Sequence, residues 1–301
     1  MTLISRRAFM ESTAATCAMT AAIQPASAAP FRPGRIKQMD FGLVTYLWGR
    51  DWDVKTLIKN CEATNCRGVE LRTTHAHGVE RSLTKQQRAD VKKRFQDSNV
   101  TLVGIGSNER YDNPDPKLVR RAIEATKEFI VLCHEVGGTG VKVKPDRLYK
   151  NVPRDKTITQ IGNALNELGP FAMDHGVELR LEIHGGCAEL PTIKSIMDVA
   201  THPAVSLCWN SNPQDLAGKG LDHNFALVKD RFGATVHVHD MDEARMYPKG
   251  YPYQRLFELF VKMNYDGWIL LEAIGKPKDR VAALKEQRQI FDQLVANAKA
   301  A

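Results

Sequence analysis

The chain lacks most of the features that mark the common non-enzymatic classes. Its six cysteines, Cys17, Cys61, Cys66, Cys133, Cys187 and Cys208, form no CxxC pair and no zinc-finger spacing. Most lie in apolar segments, where a thiol packs as a small hydrophobe. The formal net charge of +7 is spread along the chain, with no run of five like charges. Nucleic acid and anionic membranes are therefore poor candidates as partners. The weakly apolar run from Ser12 to Ile23 is too short to cross a bilayer, so no stable membrane insertion is expected. No linker, low-complexity segment or short internal repeat interrupts the chain after its first residues. What remains is 301 residues, 43% hydrophobic and 26% charged. That is ordinary globular composition, with enough chain for a large core.

The most informative stretch is Leu179-Arg180-Leu181-Glu182-Ile183-His184-Gly185-Gly186. It reads as a buried strand stopped by a glycine turn. Side chains two residues apart on a strand point the same way, so Glu182 and His184 face one side at the strand end. Further apolar runs recur along the chain. The sequence predicts strands over 41–47, 68–71, 101–105, 140–143, 177–183, 204–208, 234–238 and 267–271. Most are rich in Val, Leu and Ile, as parallel strands covered on both faces must be.

Amphipathic segments separate these runs. Asp53 and Asp115-Pro116 are helix starts, Ser82 or Thr84 begins another helix, and Gly137-Gly138 ends the third. Helices are further expected over 157–175, 192–200, 253–263 and 277–296, with a weaker one over 221–229. Eight strand–helix units fit a single-domain α/β fold, the (β/α)8 TIM barrel. An open doubly wound sheet would show a Gly-rich phosphate turn after its first strand. Here that position reads Thr45-Tyr46-Leu47-Trp48-Gly49.

In a barrel of this kind the chemistry sits at the carboxyl ends of the strands. Those ends supply Tyr46 and Trp48, then Glu70 and Arg72 with His75 and His77 beyond, then Ser107 and Asn108. Lys142 and Lys144 follow, then Glu182 and His184, Asn210 and Asn212, the run His237, His239 and Asp240, and finally Glu272.

The amino terminus carries Ser5-Arg6-Arg7-Ala8-Phe9-Met10, a mildly apolar run, and Ala26-Ser27-Ala28. This pattern resembles a twin-arginine signal peptide. The resemblance implies a signal over residues 1–28, a barrel over 29–301, and export to the periplasm or beyond.

Glu-x-His-Gly-Gly at 182–186, Cys-Trp-Asn at 208–210, His-Val-His-Asp at 237–240 and Leu-Glu at 271–272 resemble the sugar phosphate isomerase/epimerase family. These are the xylose isomerase-like barrels. Gly-Val-Glu-Leu-Arg at 68–72 matches the family's second strand. The resemblance implies one divalent metal ion, Mn, Mg, Co or Zn, held by Glu182, Asn210, His239 and Glu272. Asn210 stands where the family has Asp, so the site carries two carboxylates instead of three. Pro213 replaces the His that the family places three residues further on.

The implied chemistry is sugar isomerisation or epimerisation by proton transfer α to a carbonyl. Glu182 and Glu272 are the candidate acid/base pair. His184, His237, Lys144, Glu70 and Trp48 are the candidate substrate-binding residues. His237 shares the side of the strand that His239 faces and is expected to support the site rather than ligate. Lys142 and Lys144 either bind a substrate oxyanion or pair with Glu70 inside the barrel. The expected partner is a small carbohydrate, and self-association into a homo-oligomer is compatible with the sequence. Two alternatives use the same scaffold. One is a lyase or dehydratase acting on an inositol or oxidised sugar. The other is a non-catalytic sugar-binding protein with a degraded metal site. An abasic-site endonuclease would need three zinc ions and more ligands than the chain supplies.

Overall fold

The computed structural model describes residues 31–301, and the signal peptide expected over 1–28 lies outside them. Eight strands alternate with eight helices: β1 (Asp40–Val44), α1 (Val54–Ala63), β2 (Gly68–Arg72), α2 (Lys85–Gln96), β3 (Thr101–Arg110), α3 (Pro116–Val136), β4 (Gly140–Lys144), α4 (Arg154–Asp174), β5 (Glu178–Glu182), α5 (Leu190–Val199), β6 (Val205–Cys208), α6 (Leu221–Val228), β7 (Thr235–Val238), α7 (Tyr253–Lys262), β8 (Trp268–Leu271) and α8 (Arg280–Ala300). All ladders are parallel, in the order β6-β5-β4-β3-β2-β1-β8-β7. Two isolated parallel bridges, Leu207↔Phe232 and Asn210↔His237, bring β6 to β7. The barrel expected from the sequence is therefore observed, and its closure falls within the candidate site.

The helices start where local chemistry requires. Asp53 accepts from Thr56 N, and Thr84 forms a reciprocal capping box with Gln87. Asp115 caps α3 ahead of Pro116, and Gly137 ends it at φ +88°. Several boundaries differ from expectation, most of all β3, which runs on to Arg110 rather than ending at 105. The first strand stops at Val44, because Tyr46 N turns back to Val44 O at 2.7 Å. The last helix begins at Arg280, where Asp279 caps it, rather than at Pro277.

Period-two alternation sorts the strand residues. Val69, Leu71, Val141, Val143, Leu179, Leu181, Val236 and Val238 are fully buried in the apolar core. Their alternates Glu70, Lys142, Arg180, Glu182 and His237 are equally buried but charged or polar. The inside of this barrel thus carries ionic groups beside a small apolar cluster of Val44, Val103, Trp268 and Leu270. Arg180 forms a lower layer. A Cβ on Gly140 would lie 2.1 Å from its guanidinium carbon, and one on Gly104 would lie 3.1 Å from Nη1. Glycine is required there because the arginine crosses the barrel over bare backbone.

Candidate active site

One layer above Arg180, five strands contribute to one cluster. Glu182 ends β5, and Lys142 is its inward neighbour on β4. Lys142 Nζ donates to Glu182 Oε2 at 2.8 Å, with both side chains fully buried. Removing one partner of such a pair costs about 3–5 kcal/mol, since the other charge is left unpaired. The other oxygen, Glu182 Oε1, accepts from Asn210 Nδ2 at 3.1 Å. The same amide nitrogen lies 3.4 Å from Glu272 Oε2. His237 completes the group. Its Nδ1 is 3.3 Å from Glu182 Oε1 and 3.7 Å from Glu272 Oε2, without hydrogen-bond alignment to either. Its Nε2 faces Glu70 at 3.4 Å.

The ionisation of the cluster follows from this packing. Burial alone would raise the Glu182 pKa, but Lys142, His237 and Lys144 together hold it well below the usual carboxylate range. Burial and the neighbouring Glu182 act the same way on Glu272. His237 and Lys142 overcome both and bring it to about 2. Burial works against the His237 imidazolium, yet Cys208, Glu70 and Glu182 raise its pKa well above the ordinary value. Burial likewise disfavours the Lys142 ammonium, which Glu182, Glu70 and Glu272 nevertheless keep charged.

A second group lies nearer the barrel mouth. His184 Nδ1 meets Asp146 Oδ1 at 2.7 Å, and His184 Nε2 lies 3.2 Å from Lys144 Nζ. Arg110 holds the second oxygen of Asp146. Lys144 Nζ is also 3.8 Å from Glu182 Oε2, which links the two layers. The His184 side chain is 36% exposed, so it meets solvent while Glu182 does not. Burial lowers the Lys144 pKa despite the nearby Glu182. Asp146 has φ +58°, a left-handed conformation, beside the turn at Gly185.

The sequence-predicted residues divide accordingly. Glu182, Asn210 and Glu272 meet as expected. His239 does not join them in the tight group of possible ligand atoms. Glu182, His237 and Glu272 offer atoms within 4.8 Å of one another. The bridge between Asn210 and His237 puts those two residues level, and His239 lies one inward step further along the chain. His239 Nδ1 is tied to the Glu272 carbonyl at 2.9 Å, and its ring meets Tyr247 edge-on. His237 is thus a candidate ligand and not merely a support.

Lys142 pairs with Glu182 rather than Glu70. Glu70 is buried, and its carboxylate faces His237 Nε2 at 3.4 Å. Trp48 is 1% exposed and donates its indole N–H to Gly275 O at 2.8 Å. It clamps two loops and presents no face to a sugar. His77 is likewise spent on backbone, with Nε2 at 2.8 Å from Arg72 O and Nδ1 accepting from Val79 N. Sequence reasoning missed Asp146 and Arg110. Both lie at or beyond strand ends, where no periodicity marks them.

The site's donor set fits a divalent ion. Two carboxylates and an imidazole converge, and Asn210 Oδ1 and His237 Nδ1 are buried without hydrogen-bond partners. Neutral imidazole is the ligating form, so an ion binding there would displace the His237 proton.

The comparisons with known proteins agree with this architecture. Residues 58–294 match the family model described as xylose isomerase-like TIM barrel. No curated relative matches the chain. Among solved structures, an L-ribulose 3-epimerase superposes with TM-score 0.74 at 14% identity, covering 87% of this chain and 96% of that one. The 3-keto-D-glucoside 4-epimerase from E. coli gives 0.70 at 14% identity, covering 85% and 100%. The IolI protein with a bound zinc atom gives 0.73 at 15% identity, covering 86% and 99%. At these identities the likeness is one of fold.

Proposed function

The chain belongs to the xylose isomerase-like TIM barrel family, and from its site geometry we propose that it is a sugar isomerase or epimerase. The observation that carries this reading is the convergence of Glu182 and Glu272 with His237 and Asn210 at the carboxyl ends of β5, β8, β7 and β6. Removing a proton α to a carbonyl needs a base held close to that carbon. Epimerisation also needs a second group to return the proton on the opposite face. Glu182 and Glu272, with ligand atoms within 4.8 Å of one another, are the two carboxylates available for these roles.

Glu272 is the more accessible of the pair and takes the proton. Glu182, fixed by Lys142, serves the other face. Lys144 and His184, held by Asp146, bind the sugar oxygens and offset charge that develops on the carbonyl oxygen. Glu182, Asn210 and Glu272, with His237 or with His239 through Nε2, are the residues that would hold a divalent ion, which would supply further electrophilic stabilisation of that oxygen. The structural neighbours named for ribulose and keto-glucoside epimerases support a small ketose or oxidised sugar as the substrate. The twin-arginine-like start supports action outside the cytoplasm, where free sugars are the available class.

The test is proton exchange. Purified protein, incubated with a panel of ketoses and oxidised sugars in heavy water, is expected to exchange the hydrogen α to the carbonyl, read by NMR. Glu272→Gln should abolish exchange while sugar binding persists, and saturating metal should not restore it. Binding with no exchange by the unmodified protein would replace this reading with a sugar-binding protein. Loss of water from the sugar would replace it with a dehydratase.

A further inference from the structure

Lys142 is not among the expected metal ligands or acid/base groups, yet it contacts Glu182 Oε2 at 2.8 Å. It is fully buried on β4, and its register opposite Arg180 fixes its height in the barrel. The Ser107 hydroxyl donates to the Lys142 carbonyl at 2.7 Å, which secures the backbone at that point. The ammonium is fully buried and donates to Glu182 Oε2 at 2.8 Å. Glu182 is thereby divided. Oε2 belongs to Lys142, and Oε1 faces Asn210 Nδ2 and His237 Nδ1.

The Asn210 amide fills the remaining space between the two glutamates. Its nitrogen is directed at both carboxylates, and its oxygen is left buried without a partner. Turned about its terminal torsion, the same amide would aim that oxygen where its nitrogen now lies. One orientation suits a site without a cation, and the other suits a site with one. Replacing Asp by Asn removes one negative charge, and Lys142 adds one positive charge. The first lowers the attraction for a bound dication, and the second repels it.

We infer that Lys142 is a built-in cation that satisfies Glu182 without metal and keeps divalent-ion affinity low, so that the ion is an exchangeable rather than a resident part of the site. This inference rests on the proposed site but not on its catalytic activity. Lys142 acts through Glu182, as a positioning residue. The folded chain then needs no ion for its stability, and any ion enters by turning Asn210 and sharing Glu182 with the ammonium.

The experiment is metal titration of the full chain after chelator dialysis, with Mn2+ as the probe and free ion read by electron paramagnetic resonance. Lys142→Met is expected to bind Mn2+ at least about tenfold more tightly than the unmodified protein, because one repulsive charge is gone and Glu182 is left to the ion. Lys142→Arg keeps the charge and should show no such gain. Equal or weaker binding by Lys142→Met overturns the inference.

If Lys142→Met folds only with Mn2+ present, the inference is supported, since the ion then replaces the ammonium. If it folds under neither condition, the unmodified protein decides. At Mn2+ near the dissociation constant of the unmodified protein, its melting temperature in chelator should lie within about 5 °C of that in Mn2+, and a larger fall overturns the inference. A gain in Mn2+ affinity alongside no sugar exchange by the unmodified protein would refute the proposed function and leave this inference standing.

Discussion

Asn210→Asp is the substitution that bears most directly on this site. The Asn210 nitrogen lies 3.1 Å from Glu182 Oε1 and 3.4 Å from Glu272 Oε2. Aspartate places an acceptor where a donor stood, facing two acceptors. With an effective dielectric of about 20, two like charges at that distance repel by roughly 5 kcal/mol per pair. The ionised aspartate escapes part of this by taking up a proton. Holding a carboxyl neutral at pH 7, about three units above its usual pKa, costs ~4 kcal/mol. In chelator the variant should therefore be about 3–5 kcal/mol less stable than the unmodified protein. For a chain of this size each kcal/mol moves the melting temperature by about 2–4 °C, so the loss is roughly 10 °C. Saturating Mn2+ should recover most of it, because the third carboxylate then ligates instead of repelling. The assay is thermal unfolding of both proteins in chelator and in Mn2+. A variant as stable as the parent in chelator, with no larger gain from Mn2+, would refute the claim that Asn210 faces both glutamates.

Two further outcomes follow from other parts of the chain. Arg6→Lys combined with Arg7→Lys should leave the precursor in the cytoplasm, as read by cell fractionation, and unchanged export would refute the twin-arginine reading. Asp215 tests a buried acid away from the Glu182–Glu272 cluster. It is fully buried, and burial pushes its pKa up to about 8 although Tyr251 donates to Oδ2 at 2.6 Å and Asn212 N at 2.9 Å. Between the unfolded pKa near ~3.9 and 8, the folded state keeps a proton that the unfolded state releases, so this group costs stability as pH rises. Asp215→Asn removes that dependence. The difference in melting temperature, variant minus parent, should increase from pH 4 to 8 and then level off. A difference that stays flat with pH would show that Asp215 is ionised in the folded protein.

The barrel was legible in the sequence because its strands are short apolar runs and its helix starts carry local capping chemistry. Asp53, Thr84, Asp115 and Gly137 act within a few residues of themselves, so their signals survive without tertiary context. The two glutamates and Asn210 were legible for a related reason. Each sits at or just past the end of an apolar run, and a barrel brings such ends together. The end of β1 was less legible, since Thr45-Tyr46-Leu47 continues the apolar pattern while the backbone has already turned. Trp48 misled because an aromatic at a strand end has the same residue type whether it stacks on a sugar or clamps a loop, and only its bond to Gly275 separates the two.

The pair His237 and His239 shows where strand periodicity stops being sufficient. Period two places both rings on the inner side of β7 or its continuation, and equally places Lys142 with Lys144 and Glu182 with His184. It does not say at what height each residue meets its neighbours. That height is set by the stagger between strands, which depends on pairing across the barrel and not on any one segment. Here the bridge Asn210↔His237 sets β7 against the end of β6, and the β4–β5 register opposes Lys142 to Arg180, one inward step below Glu182. The lower members of each pair, Lys142, Glu182 and His237, consequently form one dry layer. Lys144 and His184 form a wetter one nearer the mouth, joined to it through the 3.8 Å approach of Lys144 to Glu182. The division of labour follows from the same geometry. The dry layer holds the charge and proton positions that the proposed proton transfer uses, and the wetter layer is the part of the cluster that meets solvent.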